Sequence, residues 1–323
     1  MRVGVIDCGT NTVRLLIADN AAVSTGQAGH DPYLVDLVRV LRFVRLGQGV
    51  DATHRFHPDA LSRTFAALDE FAALMEAHGP LDCLRFLATS AARDATNRDE
   101  FFAGVEARVG VTPEVITGDE EARLSFLGAL AGGPVDETGP VLVMDIGGGS
   151  TELIRGDASG RVEAAQSFDV GSVRLRERFL HDDPPTAAQI AAARYYVASL
   201  VDGGAVPLTS VGTFIGVAGT NTSLSAMRQG MVDYDSTRVH NSSLAVDEIS
   251  SMAEDLLVSP VASVKTRYSF LEPMRAEVIC AGALICDEVA QRVQSDMLVR
   301  ETDILDGAAL DLLRRGGPAP KLP

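Results

Sequence analysis

A chain of 323 residues suits two domains better than one and is long enough to bury sizeable cores. A net charge of −16 excludes the broad basic face that nucleic-acid binding needs. With no basic-then-apolar leader and no apolar run near the roughly 18 residues of a membrane helix, a cytoplasmic protein without a membrane partner is expected.

Taken in chain order, residues 3–6 read as an apolar strand entering a tight hairpin at Asp7-Cys8-Gly9-Thr10-Asn11-Thr12. A second strand follows, and residues 33–44 read as a third. Residues 59–78 carry helical spacing (Leu61, Phe65, Leu68, Phe71, Leu74, Met75), with Pro58 in the first turn and Gly79-Pro80 as the stop. A buried-type strand at 83–88 runs into Thr89-Ser90-Ala91-Ala92-Arg93, before a helix at 97–108 and a strand at 113–116. A helix at 120–130 leads into the second half. There, strands are expected at 141–145, 151–155, 162–170 and 214–217, the last feeding Ala218-Gly219-Thr220-Asn221-Thr222 at a helix start. Further helices are expected at 186–200, 247–257, 276–293 and 303–315, before a Gly/Pro-rich tail expected to fray. Strands interleaved with helices give a mixed α/β fold in each half.

The hairpin at Asp7 recurs as Asp145-Ile146-Gly147-Gly148-Gly149-Ser150-Thr151-Glu152. Small residues let backbone N–H groups approach an anion closely, and hydroxyls add donors. An Asp beside such a loop can hold a divalent cation against phosphate oxygens. Either loop alone is explained as well by an ordinary glycine turn; two in matching register are not. Facing across a cleft, they would form a phosphate-plus-metal site. Phosphate contacts are expected from Gly9, Thr10, Asn11, Thr12, Arg14, Gly147, Gly148, Gly149, Ser150 and Thr151. The strand-end loops supply further candidates in Thr89, Arg93, Gly219 and Thr220. Metal-ligating candidates are Asp145, Glu152 and Asp7. Glu152 stands where the first loop has Arg14, so one half looks built for a cation and the other for phosphate oxygens.

Between the halves lies Thr117-Gly118-Asp119-Glu120-Glu121-Ala122-Arg123. Helix capping and the helix dipole account for Asp119 and Glu120. A glutamate at this junction would also suit the general base of a hydrolase, but the residues alone do not choose Glu121. The four cysteines have no metal spacing and read as reduced buried thiols. The histidines show no ligand spacing; only His240 sits in a polar loop that could contact phosphate.

Seven motifs now stand in one order. They are Asp7-x-Gly-Thr-Asn-Thr12, Arg45-Leu-Gly-Gln-Gly49, Thr89-Ser-Ala-x-Arg93, Gly118-x-Glu-Glu-Ala-Arg123, the loop from Asp145 to Glu152, Gly171-Ser-Val-Arg-Leu175 and Ala218-Gly-Thr220. The pattern resembles the exopolyphosphatase/guanosine pentaphosphatase (Ppx/GppA) family of the actin–sugar kinase–Hsp70 superfamily, in its short two-domain actinobacterial form. The resemblance implies an α/β fold of two ribonuclease H-like (actin-like ATPase) lobes, with mixed sheets flanked by helices and an interdomain cleft. The lobes would be residues 1–120, with helix 303–316 packing back on them, and residues 121–302. It further implies Glu121 as the base that activates water, Asp145 and Glu152 beside Mg²⁺ or Mn²⁺, and glycine-rich loops holding phosphates.

The expected activity is an exopolyphosphatase, a phosphoanhydride hydrolase that releases terminal orthophosphate from inorganic polyphosphate; the alternative is conversion of guanosine pentaphosphate to the tetraphosphate. A superfamily sugar or acetate kinase would need an acceptor motif, and none is recognisable; a non-catalytic sensor would have lost Glu121 or Asp145, and both are present. Two departures bear on the polymer: the sequence stops after two lobes, and Asn241 stands where many members have Gly. A preference for short chains is therefore expected. The polymer would be gripped by a local basic island of Arg238, His240, Lys265, Arg267 and Arg275. A homodimer is compatible with the sequence.

Overall fold

The computed structural model describes residues 1–21 and 33–315. The expected fraying of the tail, residue 316 of the expected terminal helix, and His30 lie outside the described residues. The chain divides into two units, Met1–Gly128 with Ile304–Pro323, and Ala129–Asp303. This division falls later than the 120/121 boundary expected from the sequence. The reason is helix Gly118–Ala131, whose Leu124 packs with Leu305, Ala308 and Leu312 in a core of the first unit.

In the first unit, β1 (Arg2–Cys8) pairs antiparallel with β2 (Thr12–Ala21), which pairs antiparallel with β3 (Tyr33–Phe43). On the other side of β1, β4 (Cys83–Ala88) and β5 (Glu114–Val115) run parallel, giving the order β3-β2-β1-β4-β5. Residues alternate between the two faces of each strand. Ile6, Cys8, Val13, Leu15 and Phe86 bury one face together with Phe71 and Phe101 from helices Pro58–Ala77 and Arg98–Val109. Val3, Val5, Leu16 and Leu87 bury the other, beneath helix Ile304–Arg314. A mixed sheet covered on both faces explains why its central strands read as nearly continuous apolar runs.

The second unit repeats the design. An antiparallel meander of β6 (Val141–Ile146), β7 (Thr151–Gly156) and β8 (Val162–Phe168) is followed by β9 (Thr213–Val217), parallel beside β6. Edge strand β10 (Ser242–Leu244) pairs antiparallel with β11 (Met297–Val299), itself parallel to β9. The order is β10-β11-β9-β6-β7-β8. Two mixed sheets, each an antiparallel meander extended by parallel strands and flanked by helices, are the expected ribonuclease H-like arrangement.

One buried group of the second unit shapes the backbone near its ends. Arg300 is fully buried, and its guanidinium donates to Asn241 Oδ1 (3.1 Å), Pro134 O (2.8 Å) and Ala129 O. Desolvation pushes it down to about 10. Asn241 adopts the left-handed region (φ 61°), and its side-chain amide donates to Gly132 O at 3.1 Å. The asparagine thus takes a conformation otherwise suited to Gly and adds two hydrogen bonds. All four cysteines are free and buried. Among the described residues, no helix is long and apolar enough to cross a membrane.

Candidate active site

The two hairpin loops are built alike, each on its own unit. Asp7 lies opposite Arg14 in the β1–β2 register, and Asp145 lies opposite Glu152 in the β6–β7 register. The turn between them closes with Gly9 N–H donating to Thr12 O (2.9 Å) and Gly147 N–H donating to Ser150 O (3.0 Å). In both, the next carbonyls are tied down by a neighbouring segment. Gly47 N–H reaches Thr10 O at 2.8 Å, and Val44 and Arg45 N–H reach Asn11 O at 3.0 and 2.9 Å. In the second unit, Ser172 N–H reaches Gly147 O at 2.9 Å, and Val173 and Arg174 N–H reach Gly148 O at 2.9 and 3.1 Å. The fit there is tight: a Cβ on Gly171 would lie 2.5 Å from the Gly148 carbonyl carbon. With carbonyls occupied, the amides of Thr10, Asn11, Gly148 and Gly149 make no hydrogen bond among the described residues. Such donors are what an anion needs.

The two carboxylate positions differ in electrostatics. Asp7 is buried and accepts from Arg14 Nε (3.0 Å) and Nη2 (2.6 Å). The arginine expected to meet phosphate and the aspartate expected to meet metal are therefore each other's ion-pair partners. Asp145 and Glu152, also buried, are two acids directly opposite on adjacent strands. Like charges in that position repel, and a divalent cation relieves the repulsion. Among the described residues, no group of three or more His, Cys, Asp or Glu side chains is arranged to hold a metal. Two carboxylates with the remaining positions left to water and phosphate oxygens fit Mg²⁺, which retains several waters.

In the first unit, the parallel pairing of β4 with β1 brings buried Thr89 beside the first loop, where its N–H donates to Cys8 O at 3.2 Å. Helix Gly118–Ala131 begins on Thr117, whose hydroxyl accepts from Glu120 N–H at 3.2 Å. Glu121 is buried, and its Oε2 accepts from Arg93 Nη1 at 2.8 Å. The same Arg93 nitrogen donates to Ile116 O at 3.0 Å, which fixes the guanidinium between strand end and helix. Glu120 turns the other way. Its carboxylate accepts from Arg123 Nε and Nη2 (2.8 and 3.0 Å) and lies 3.5 Å from Arg85, in a cluster that includes Asp311. Arg123's hydrogen bonds hold the Glu120 carboxyl below the usual carboxylate range, against an opposing desolvation. The side chain expected to cap the helix is instead an ion-pair residue, because Arg85, Arg123 and Asp311 converge on it.

At the end of β9, the first residues of helix Ala218–Arg228 pack tightly: the Arg275 guanidinium lies over Gly219, where a Cβ would come within 1.6 Å of Nη1. Thr220 is buried against Gly282. Of the remaining cations expected to form a basic island, two have acidic partners. Lys265 lies 3.7 Å from Glu277, and Arg267 is ion-paired with Asp255. His240 Nε2 lies 2.9 Å from Gly132 O, while Nδ1 accepts from Glu301 N–H at 3.2 Å, so its ring secures backbone. Arg238, at the end of a short helix, Ser236–Val239, is exposed, as is Arg267. An acidic unit supplies a partner for most of the cations placed on it.

Residues 44–47 and 170–174 clamp the loops, a role that sequence reasoning did not assign. Their only signal was membership in, or adjacency to, two motifs (Arg45 to Gly49, Gly171 to Leu175) that contain no carboxylate or histidine. Comparison with known proteins places the chain. The Ppx/GppA phosphatase family model matches residues 22–308. Exopolyphosphatase 2 of Mycobacterium tuberculosis is 43% identical over 325 residues, spanning 96% of this chain and 98% of that protein. The crystal structure of an exopolyphosphatase-like protein superposes with a TM-score of 0.89 at 39% identity, covering 98% of this chain and 99% of that one. That of the Aquifex aeolicus Ppx/GppA family member gives 0.79 at 29% identity, over 98% and 99%.

Proposed function

The chain belongs to the Ppx/GppA phosphatase family, and on that premise we propose that it is an exopolyphosphatase, releasing terminal orthophosphate from inorganic polyphosphate. The observation that carries the reading is the pair of loops with carbonyls engaged and amides unengaged, the second beside two opposed carboxylates. Phosphoryl transfer leaves little covalent chemistry to the protein, so positioning and charge stabilisation dominate. Glu121 takes a proton from the attacking water, whose oxygen bonds to the terminal phosphorus as the bridging P–O bond breaks. Arg93 orients Glu121 through Oε2. The unengaged loop amides, Thr10 and Asn11 on one unit and Gly148 and Gly149 on the other, are donors of the kind that phosphate oxygens need. Asp145 and Glu152 would hold Mg²⁺ or Mn²⁺, which supplies charge neutralisation for neighbouring phosphates.

Short chains should be preferred. Lys265 and Arg267 are already matched by Glu277 and Asp255, which leaves little to grip phosphates beyond the loops. The test is phosphate release from short polyphosphate, long polyphosphate, guanosine pentaphosphate and ATP, each with and without Mg²⁺. Fastest release from short polyphosphate, abolished by chelation, is expected. Full activity after exhaustive chelation, or turnover of ATP alone, would overturn the proposal.

A further inference from the structure

Glu152 is the most deeply buried of the site acids, 1% exposed, and its Oε1 accepts a 2.6 Å hydrogen bond from Ser167 Oγ. The contact follows from the sheet: Glu152 lies directly opposite Ser167 in the β7–β8 register. The duplicated unit provides a comparison inside the same molecule. There, the residue in Glu152's place is Arg14, ion-paired with Asp7, and the residue opposite it on β3 is Leu41. An arginine satisfied by its neighbouring acid needs nothing from the third strand. A buried carboxylate beside a second carboxylate needs a donor, and the third strand supplies a hydroxyl where its counterpart carries an alkyl chain.

We infer that Ser167 is a positioning residue for the divalent cation, acting through Glu152. This rests on the reading that Asp145 and Glu152 hold the cation. A hydroxyl donated to one carboxylate oxygen fixes the plane of the group and removes rotamers that would otherwise have to be frozen on binding. The same stretch of chain continues into the loop clamp: Val170 O accepts from Thr151 Oγ1 at 2.6 Å, and Ser172, Val173 and Arg174 secure Gly147 and Gly148. Residues 167–174 thus hold the carboxylate at one end and the phosphate loop at the other.

Mn²⁺ titration of the full chain without substrate, read by the spin-resonance signal of free Mn²⁺, tests the inference on wild type, Ser167→Ala, Ser167→Thr and Glu152→Gln. Ser167→Ala should weaken binding about 10-fold, at the low end of the roughly 10–100-fold loss typical when a metal ligand loses its hydrogen-bond partner. Ser167→Thr, which keeps the hydroxyl and suits a strand, should restore most of it. The Mg²⁺ concentration for half-maximal phosphate release should rise in parallel, with a much smaller change in turnover at saturating metal. If Glu152→Gln weakens Mn²⁺ binding but Ser167→Ala, folded by circular dichroism, does not, the role of Ser167 is wrong and the site stands. If wild type binds Mn²⁺ no more tightly than Glu152→Gln, the cation site and the inference fall together.

Discussion

Adjacent glutamates with opposite duties make a sharp test of the active-site assignment. Glu121→Gln removes the proposed proton acceptor but leaves an amide oxygen able to take the Arg93 hydrogen bond, 2.8 Å in the native protein. Arg93 also keeps its bond to Ile116 O and is 24% exposed, so the stability cost should stay within about 1 kcal/mol. Turnover should fall by roughly 10²–10⁴, the usual cost of losing a general base. Glu120→Gln should do the reverse. It weakens two hydrogen bonds from Arg123 and the approach of Arg85, which is 8% exposed and retains Glu114 and Asp311. With Glu120 27% exposed, the loss should be about 1–2 kcal/mol, with turnover nearly unchanged.

The Glu120 contribution also carries a pH signature. Its folded pKa is depressed, so its stabilisation is fully present above the ordinary value of 4.5 and is lost as pH falls through the lower folded value. Urea midpoints of wild type and Glu120→Gln should differ at pH 7 and converge under acid. Steady-state phosphate release and urea melts on both variants decide the matter. Equal losses of turnover, or a greater loss in Glu120→Gln, would refute the assignment of the base.

Four further outcomes follow from the geometry. Gly171→Ala would press a Cβ against the Gly148 backbone at 2.5 Å, and a loop displaced by about 1 Å should cost on the order of 10²-fold in kcat/KM; wild-type kinetics would disprove the clamp. Arg300→Met leaves the Pro134 carbonyl without its donor and Ala129 O with only the 3.3 Å bond from Gly132 N–H, and should destabilise by about 2–4 kcal/mol in urea melts. Asn241→Gly keeps the left-handed backbone and should cost about 1–2 kcal/mol, so an unchanged midpoint would show that its side chain contributes nothing. Neutralising Lys265 and Arg267 together should change KM less than about twofold at any chain length, since both are exposed pairs; a rise confined to long polyphosphate would restore the basic-island expectation.

The sequence determined the repeated α/β design, because its signals are local. Strands Cys83–Ala88 and Val141–Ile146 are apolar runs interrupted by a single charge each, Arg85 and Asp145, and Pro58–Ala77 carries both helical spacing and its own start signal. The loops at Gly9 and Gly147 were legible for the same reason, since identical spacing between Asp and hydroxyl residues needs no partner to be recognised. Three-residue strands such as Ser242–Leu244 and Met297–Val299 escaped, being too short to establish a period and held only by pairing with distant chain. Partnership was the second thing only tertiary structure decided. Asp7 and Asp145 occupy equivalent places, yet one faces Arg14 and the other Glu152, with Ser167 on the next strand. Glu120 and Glu121 are neighbours in sequence, but successive helical positions point about 100° apart. One therefore meets Arg123 and Arg85, the other Arg93, and which of two like carboxylates finds which cation depends on residues brought together from far along the chain.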